Sequence, residues 1–292
     1  MITIAGRPNV GKSTLINALI GEKISIVTNK PQTTRNRIFG ILTKDDTQFV
    51  FLDTPGFHKP RSKLGDYMVS LVRESVADVD AVMLLVEPGA SVGKQESLLL
   101  ERLSKTKVPA VLVINKIDTV PKETLLAVID VYSNVFSFDA IMPISAKKGD
   151  GVSELLAELQ KYAQDGPPLF PEGVVTDQPE AQIIAELVRE KLLICMQKEI
   201  PHGTAVEVTK FSERGGEDDP VIDVDVTIYC EKASHKGMII GKHGAMLKKI
   251  GQMAREDIER FMGARVFLQM WVKVRENWRD SSAAVRNLGY RE

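Results

Sequence analysis

Four short segments of this chain combine residue types and spacings that handle phosphate, a hard cation and a purine. Gly6-Arg7-Pro8-Asn9-Val10-Gly11-Lys12-Ser13, followed by Thr14, fits G-x-x-x-x-G-K-[ST]. Its two glycines let the backbone wrap a β-phosphate with N–H groups, at the positive end of the helix that follows. Lys12 sets an ammonium between β- and γ-phosphates, and the Ser13 hydroxyl suits Mg²⁺. In Asp53-Thr54-Pro55-Gly56, Asp53 ends an apolar run, where its carboxylate holds Mg²⁺ through water; the Gly56 amide is placed to sense a γ-phosphate. Asn115-Lys116-Ile117-Asp118 offers a carboxylate, Asp118, that accepts from both N1–H and N2–H₂ of guanine, donors adenine lacks. Lys116 lays its stem over the ring, and in Ser145-Ala146-Lys147 the Ala146 amide donates to O6. One eight-residue match carries a false-positive risk. Four segments in this order imply a site for GTP or GDP with Mg²⁺, and hydrolysis of GTP with Lys12, Thr34 and Gly56 in the catalytic set.

Thr34 enters from the polar stretch between Glu22 and Arg37, which contains Pro31-Gln32-Thr33-Thr34-Arg35. A threonine there completes the Mg²⁺ shell with Ser13 and Asp53; Thr34 is the first choice and Thr33 the alternative. This stretch and 54–63 are the expected switch segments, ordered by the γ-phosphate. Phe57 stands where many signalling GTPases carry the glutamine that orients water, and a phenyl ring cannot do that, so intrinsic hydrolysis is expected to be slow. Asn9 is a candidate ligand for a K⁺ ion placed like an arginine finger.

The elements that must position these residues are legible as alternating apolar runs and helical stretches. Strands are expected at 38–43, 47–52, 81–86, 110–114 and 140–144, and helices near 13–20, 64–77, 95–104, 122–132 and 152–162. Unbroken apolar strands alternating with helices imply an α/β fold, a mostly parallel sheet covered on both faces, with one antiparallel strand from the hairpin at Lys44-Asp45-Asp46. This gives a P-loop domain at 1–165. Asp165-Gly166-Pro167-Pro168 to Pro179 is hostile to helix and central strand and reads as a linker, 166–179.

From residue 180 to 292 the expected order is helix, strand, strand, short helix, loop, helix, strand. Ile183, Ile184, Leu187, Val188 and Leu192 share one helical face, and Ile222–Tyr229 alternates as a half-buried strand does. The turn before it holds Glu217-Asp218-Asp219. In Gly237-Met238-Ile239-Ile240-Gly241-Lys242-His243-Gly244, a GxxG turn between two helices lets a nucleic-acid backbone approach and clamp about four nucleotides. Ile239 and Ile240 are expected to floor the groove, while Lys242, His243, Lys248, Lys249 and Arg255 face the strand. Trp271 and Trp278 are candidates to stack on bases, with core packing for Trp271 and a tail anchor for Trp278 as the first choices. The histidines show no metal-ligand grouping.

A chain of 292 residues exceeds the usual size of a single core, which agrees with two domains. The net charge of −1 hides an asymmetry. Residues 177–231 hold 5 Lys and Arg against 13 Asp and Glu, a balance of −8; residues 232–292 hold 13 against 6, a balance of +7. The basic end points to a polyanion partner. Cys195 and Cys230 lack metal-type spacing and are expected as packed thiols. Neither a signal peptide nor a long apolar run is recognisable, so a cytoplasmic location is expected.

Taken together, GRPNVGKS, PQTTR, DTPGFHKP, NKID, SAK, the Pro-rich segment and GMIIGKHGAMLKKIG resemble the Era family of bacterial GTPases along essentially the whole chain. The resemblance implies a type II KH domain after the GTPase domain, binding to the 3′ end of 16S ribosomal RNA, and a role in rRNA processing and biogenesis of the 30S subunit. It also implies a monomer, with peripheral association at the inner membrane in some members. Members usually begin several residues further ahead of the glycine at position 6, so either the first strand is short or the chain is trimmed at its start. An RNA-modifying GTPase is disfavoured because no catalytic cysteine motif lies near the C-terminus. A signalling or trafficking GTPase with a protein-binding C-terminal domain is the other alternative.

Overall fold

The computed structural model describes residues 1–56, 62–74, 79–89, 91–106, 108–197, 200–216 and 220–290. Phe57, part of the second switch segment and the acidic turn 217–219 lie outside the described residues. The chain divides into two compact units, Met1–Lys59 with Met68–Asp177, and Pro60–Tyr67 with Gln178–Glu292.

In the first unit the strands are β1 (Ile2–Gly6), β2 (Ile38–Lys44), β3 (Thr47–Asp53), β4 (Ala81–Val86), β5 (Ala110–Ile114) and β6 (Ala140–Pro143). The helices are α1 (Lys12–Ile20), α2 (Lys63–Glu74), whose first residues cluster with the second unit, α3 (Lys94–Leu103), α4 (Lys122–Ser133) and α5 (Val152–Leu159). Among the described residues the strands form one sheet in the order β2-β3-β1-β4-β5-β6. Every neighbouring pair is parallel except β2 with β3, the hairpin. β1, β4 and β5 are buried along their whole length, which is why they read as unbroken apolar runs. One face packs Ile4, Met83 and Val111 on Leu15, Ile16 and Leu155. The other packs Leu84 and Leu112 on Leu99, Leu103 and Val128. Each such side chain contributes about 1.5–3 kcal/mol. After β1 the chain runs to β2 and β3 on one side of it, and after β3 it crosses to β4 on the other side. Ligands bind at the carboxyl ends of strands at such a switch point.

The Pro-rich segment is not a free linker over most of its length. The Ile41 N–H donates to the Val175 carbonyl at 2.8 Å, Gly40 and Thr176 form an antiparallel bridge, and the Phe39 N–H donates to Asp177. Gln48 exchanges two hydrogen bonds of 2.9 Å with the Phe170 backbone. Proline removes donors but leaves carbonyls, and an edge strand such as β2 supplies the missing N–H groups. The first unit accordingly runs to Asp177, beyond the expected boundary at 165.

The second unit holds α6 (Glu180–Cys195), β7 (Thr204–Arg214), β8 (Val221–Cys230), α7 (Ala233–Ile240), α8 (Ala245–Met262), β9 (Arg265–Val274) and α9 (Ser282–Asn287). The sheet order is β7-β8-β9, with β7 and β8 antiparallel and β8 and β9 parallel. The α7–α8 pair makes the crossover that a parallel pair requires. Ile250, Ala254 and Ile258 are the buried stripe of α8, four residues apart, and Lys248, Lys249 and Arg255 lie on its exposed side. Trp278 is buried, donates Nε1–H to the Gly203 carbonyl at 3.0 Å and stacks on Tyr290. Trp271 departs from the expectation: it is 43% exposed. The pleat explains this, since Val266 and Val272 take the inward positions of β9 and Trp271 falls on the outward alternation. Cys230 is buried and Cys195 half-buried, and both are free thiols.

Candidate functional site

The phosphate loop leaves β1 at Gly6 and enters α1 at Lys12. Gly11 sits at φ 102°, a left-handed conformation that L side chains rarely adopt, and an added Cβ there would lie 2.2 Å from Asn115 Nδ2. That Nδ2 donates to the Val10 carbonyl at 2.8 Å, and Asn115 Oδ1 accepts from the Ala146 N–H at 2.9 Å. One buried amide thereby joins the loop, the Asn115–Asp118 turn and the Ser145–Lys147 turn. Lys116, at φ 63°, donates Nζ to the Asn9 carbonyl at 2.7 Å and pairs with Glu87.

A cavity of about 390 Å³ opens over these turns, lined on one side by Gly11, Lys12, Ser13 and Thr14 and on the other by Asn115, Lys116, Asp118, Ser145 and Lys147. Pro8, Asn9, Thr34 and Gly56 also line it. Gly6, Val10, Thr54, Pro55 and Ala146 are buried behind the wall. Thr54 is not free to take a ligand: its hydroxyl donates to the Ile4 carbonyl at 3.0 Å. Ile117 begins the short helical turn behind Lys116, and Arg7 points away from the cavity to Glu96, at 2.7 Å. The exposed Asp118 accepts the Ser145 hydroxyl at 2.7 Å, which holds its carboxyl below the usual aspartate range. It is therefore an anion, with capacity to accept two donors from a base edge.

At the phosphate end, Asp53 is fully buried. Its Oδ2 accepts from Ser13 at 2.9 Å, Ser25 at 2.8 Å and Thr34 at 3.3 Å, and Ser13 and Thr34 hydroxyls meet at 2.9 Å. Thr33 also lines the cavity, but its hydroxyl is bonded to Thr28 and to the Lys30 carbonyl rather than to Asp53. The other carboxylate oxygen of Asp53, Oδ1, is buried with no partner. A buried carboxylate oxygen without a donor, beside two hydroxyls, suits a hard cation such as Mg²⁺. Ser25 escaped the sequence reading; its only signal is a hydroxyl between two buried apolar residues, Ile24 and Ile26. Burial raises Asp53, opposed by Lys12, and burial lowers the Lys12 ammonium to about 8. Lys12 Nζ donates to the Gly6 and Arg7 carbonyls at 3.2 and 3.1 Å, which holds it across the mouth of the loop. Asn9 donates Nδ2 to the Asn29 carbonyl at 2.8 Å.

In the second unit, Gly241 (φ 72°), His243 (φ 51°) and Gly244 (φ 78°) form a tight turn between α7 and α8. A Cβ on Gly241 would lie 2.7 Å from Met246 Cβ, so only glycine allows this close approach. Lys242, His243, Lys248 and Lys249 are exposed on or beside the turn, and Ile240 is half-buried. Ile239 is wholly buried and cannot floor a groove; at its register it packs α7 onto the unit's core.

Comparison with known proteins agrees with both units. Residues 1–116 match the family described as 50S ribosome-binding GTPase, and residues 199–279 match the KH domain family. GTPase Era of Ruminiclostridium cellulolyticum is 49% identical, with 99% of this chain and 96% of that protein covered. GTPase Era of Clostridium kluyveri is 50% identical, covering 99% and 98%. Two solved structures superpose with a TM-score of 0.93, each over 100% of this chain and 98% of theirs. One, 36% identical, is a variant of Aquifex aeolicus Era bound to GDP and AlF4⁻; the other, 35% identical, is Era with MgGDPNP and nucleotides 1506–1542 of 16S ribosomal RNA. The loop joined by Asn115 to two base-side turns, the GxxG turn behind it in sequence, and likeness over the full length agree: the chain belongs to the Era family of GTPases, a P-loop GTPase domain followed by a KH domain.

Proposed function

We propose that this GTPase is a nucleotide-controlled RNA-binding switch that engages 16S rRNA near its 3′ end and assists 16S processing and 30S subunit biogenesis. The observation that carries the reading is the exposed, lysine-flanked Gly241–Gly244 turn on the basic part of a chain whose first unit holds the guanine-nucleotide cavity. A relative solved with nucleotides 1506–1542 of 16S rRNA supports the choice of RNA.

In this reading Asp118 selects guanine, Lys116 covers its ring and the Ala146 amide meets O6. The Gly6–Ser13 backbone and Lys12 hold the phosphates, and Lys12 balances charge as the γ-phosphoryl leaves. Ser13, Thr34 and Asp53 would hold Mg²⁺, which would supply positive charge against that of the phosphates. Gly56 and Thr34 respond to the γ-phosphate, so hydrolysis releases both segments. Asn9 is the candidate K⁺ ligand, a role abandoned if turnover is equal in K⁺ and Na⁺. The protein acts as a cytoplasmic monomer with peripheral contact to the inner face of the membrane. Gly241→Asp is expected to abolish binding of the 1506–1542 RNA while GTP turnover stays at the wild-type rate. RNA affinity unchanged in that variant would overturn the assignment of the turn.

A further inference from the structure

The outer face of the β7–β8–β9 sheet carries a row that the GxxG turn does not explain. Helices α6, α7 and α8 cover the inner face. Along β9 the outward positions are Arg265, Phe267, Gln269, Trp271 and Lys273, all exposed; Phe267 is 49% and Trp271 43% accessible. Burying such rings is the usual outcome, and two large aromatics left in water on one strand ask for a partner. Same-side residues of a strand are spaced about 6.6 Å apart, so Phe267 and Trp271, with Gln269 between them, stand about 13 Å apart, about two steps of an extended nucleotide strand. Two cations stand beside rings of this sheet: the Arg214 guanidinium of β7 lies 5.8 Å from the Phe267 ring centre, and that of Arg275, just past β9, lies 5.9 Å from the ring centre of Tyr229 on β8.

We propose that this face, centred on Phe267 and Trp271 of β9, is a stacking platform for single-stranded RNA, separate from the GxxG turn. The proposal rests on the RNA-binding reading above and extends it to a second surface. Charge argues for a nucleic acid over an apolar protein surface, because the β9 row alternates cation, ring, amide, ring, cation without a carboxylate. On the adjoining strands, Asp223 is held by Arg214 at 2.8 Å, Glu207 accepts the Tyr229 hydroxyl at 2.8 Å, and Asp225 lies in register between Lys210 and Gln269. Rings beside guanidinium groups are the pairing that binds bases without reading sequence. β9 is also an edge strand, and α7 and α8 both pack on it, so an RNA held at the GxxG turn needs to round a single strand to reach this face.

The test uses the full chain, RNA spanning nucleotides 1506–1542 of 16S rRNA, and tryptophan emission. Trp271 and the buried Trp278 are the two tryptophans of the chain, so RNA stacked on the platform quenches Trp271. Quenching is expected in wild type and absent in Trp271→Phe. The Phe267→Ala/Trp271→Ala pair is expected to weaken RNA binding about tenfold or more. Phe267→Leu/Trp271→Leu, which keeps apolar area but loses the rings, is expected to weaken it as much; Phe267→Tyr/Trp271→Tyr is expected to retain it. All these positions are exposed, so a far-ultraviolet spectrum matching wild type establishes that the fold is intact. Wild-type RNA affinity in the alanine pair, or in the leucine pair alone, overturns the platform while leaving the GxxG turn as the RNA site. Failure of the wild-type chain to bind the RNA at all overturns the RNA reading itself.

Discussion

Lys12 and Asp53 are ionisable side chains almost wholly buried beside the cavity. Burial lowers the Lys12 ammonium to about 8, against an ordinary value of 10.5. The folded chain without nucleotide thus holds this proton less tightly than the unfolded one. Its stability from this group rises as pH climbs from about 8 toward 10.5 and is lowest below that window. A bound polyphosphate restores the ammonium, so GDP binding between about pH 8 and 9.5 is expected to take up a proton. Calorimetry in two buffers of different ionisation heat measures it, and Lys12→Met is expected to remove it. Thr34 and Thr33 separate equally sharply: Thr34→Ala is expected to slow turnover about a hundredfold, and Thr33→Ala to change it little, read as single-turnover rates at saturating Mg²⁺. Most of this site was legible because phosphate, cation and base each demand a fixed residue type at a fixed spacing. Ser25 was not, since one hydroxyl among apolar neighbours carries no spacing; Thr54 matched its motif yet spends its hydroxyl on the Ile4 carbonyl.

At the scale of elements, apolar runs placed the strands well because β1, β4 and β5 are buried on both faces and tolerate nothing else. β4 and β5 match their expected spans, and α8 begins and ends where its stripe and its flanking glycines put it. Two elements resisted. The proline-rich stretch has no pattern of its own, and its carbonyls find partners on β2 and Gln48, which are far away in sequence. Trp271 was expected inside because large rings usually are; its face is fixed by strand register, which a single sequence leaves free by one residue. That residue of register turns an assumed core position into the centre of the proposed platform.

Over the whole molecule, charge separates what a net value of −1 conceals. The +7 balance of residues 232–292 makes RNA association an electrostatic event, released by salt. With Lys242, Lys248, Lys249 and Arg255 each meeting a phosphate, log affinity is expected to fall with log salt at a slope of about −3, measured by titrating the 1506–1542 RNA at several KCl concentrations. A slope near zero would contradict a backbone-clamping role for these side chains. The central claim is that a purine diphosphate or triphosphate sits in the cavity with its base read by Asp118. Calorimetric titration in Mg²⁺ buffer with GDP and with XDP, on wild type and Asp118→Asn, tests it most directly. Asparagine offers one donor and one acceptor where the carboxylate offers two acceptors, which suits xanthine and not guanine. Wild type is expected to bind GDP and the variant to lose about a hundredfold or more of that affinity while gaining XDP; equal GDP affinity in both proteins would contradict the claim.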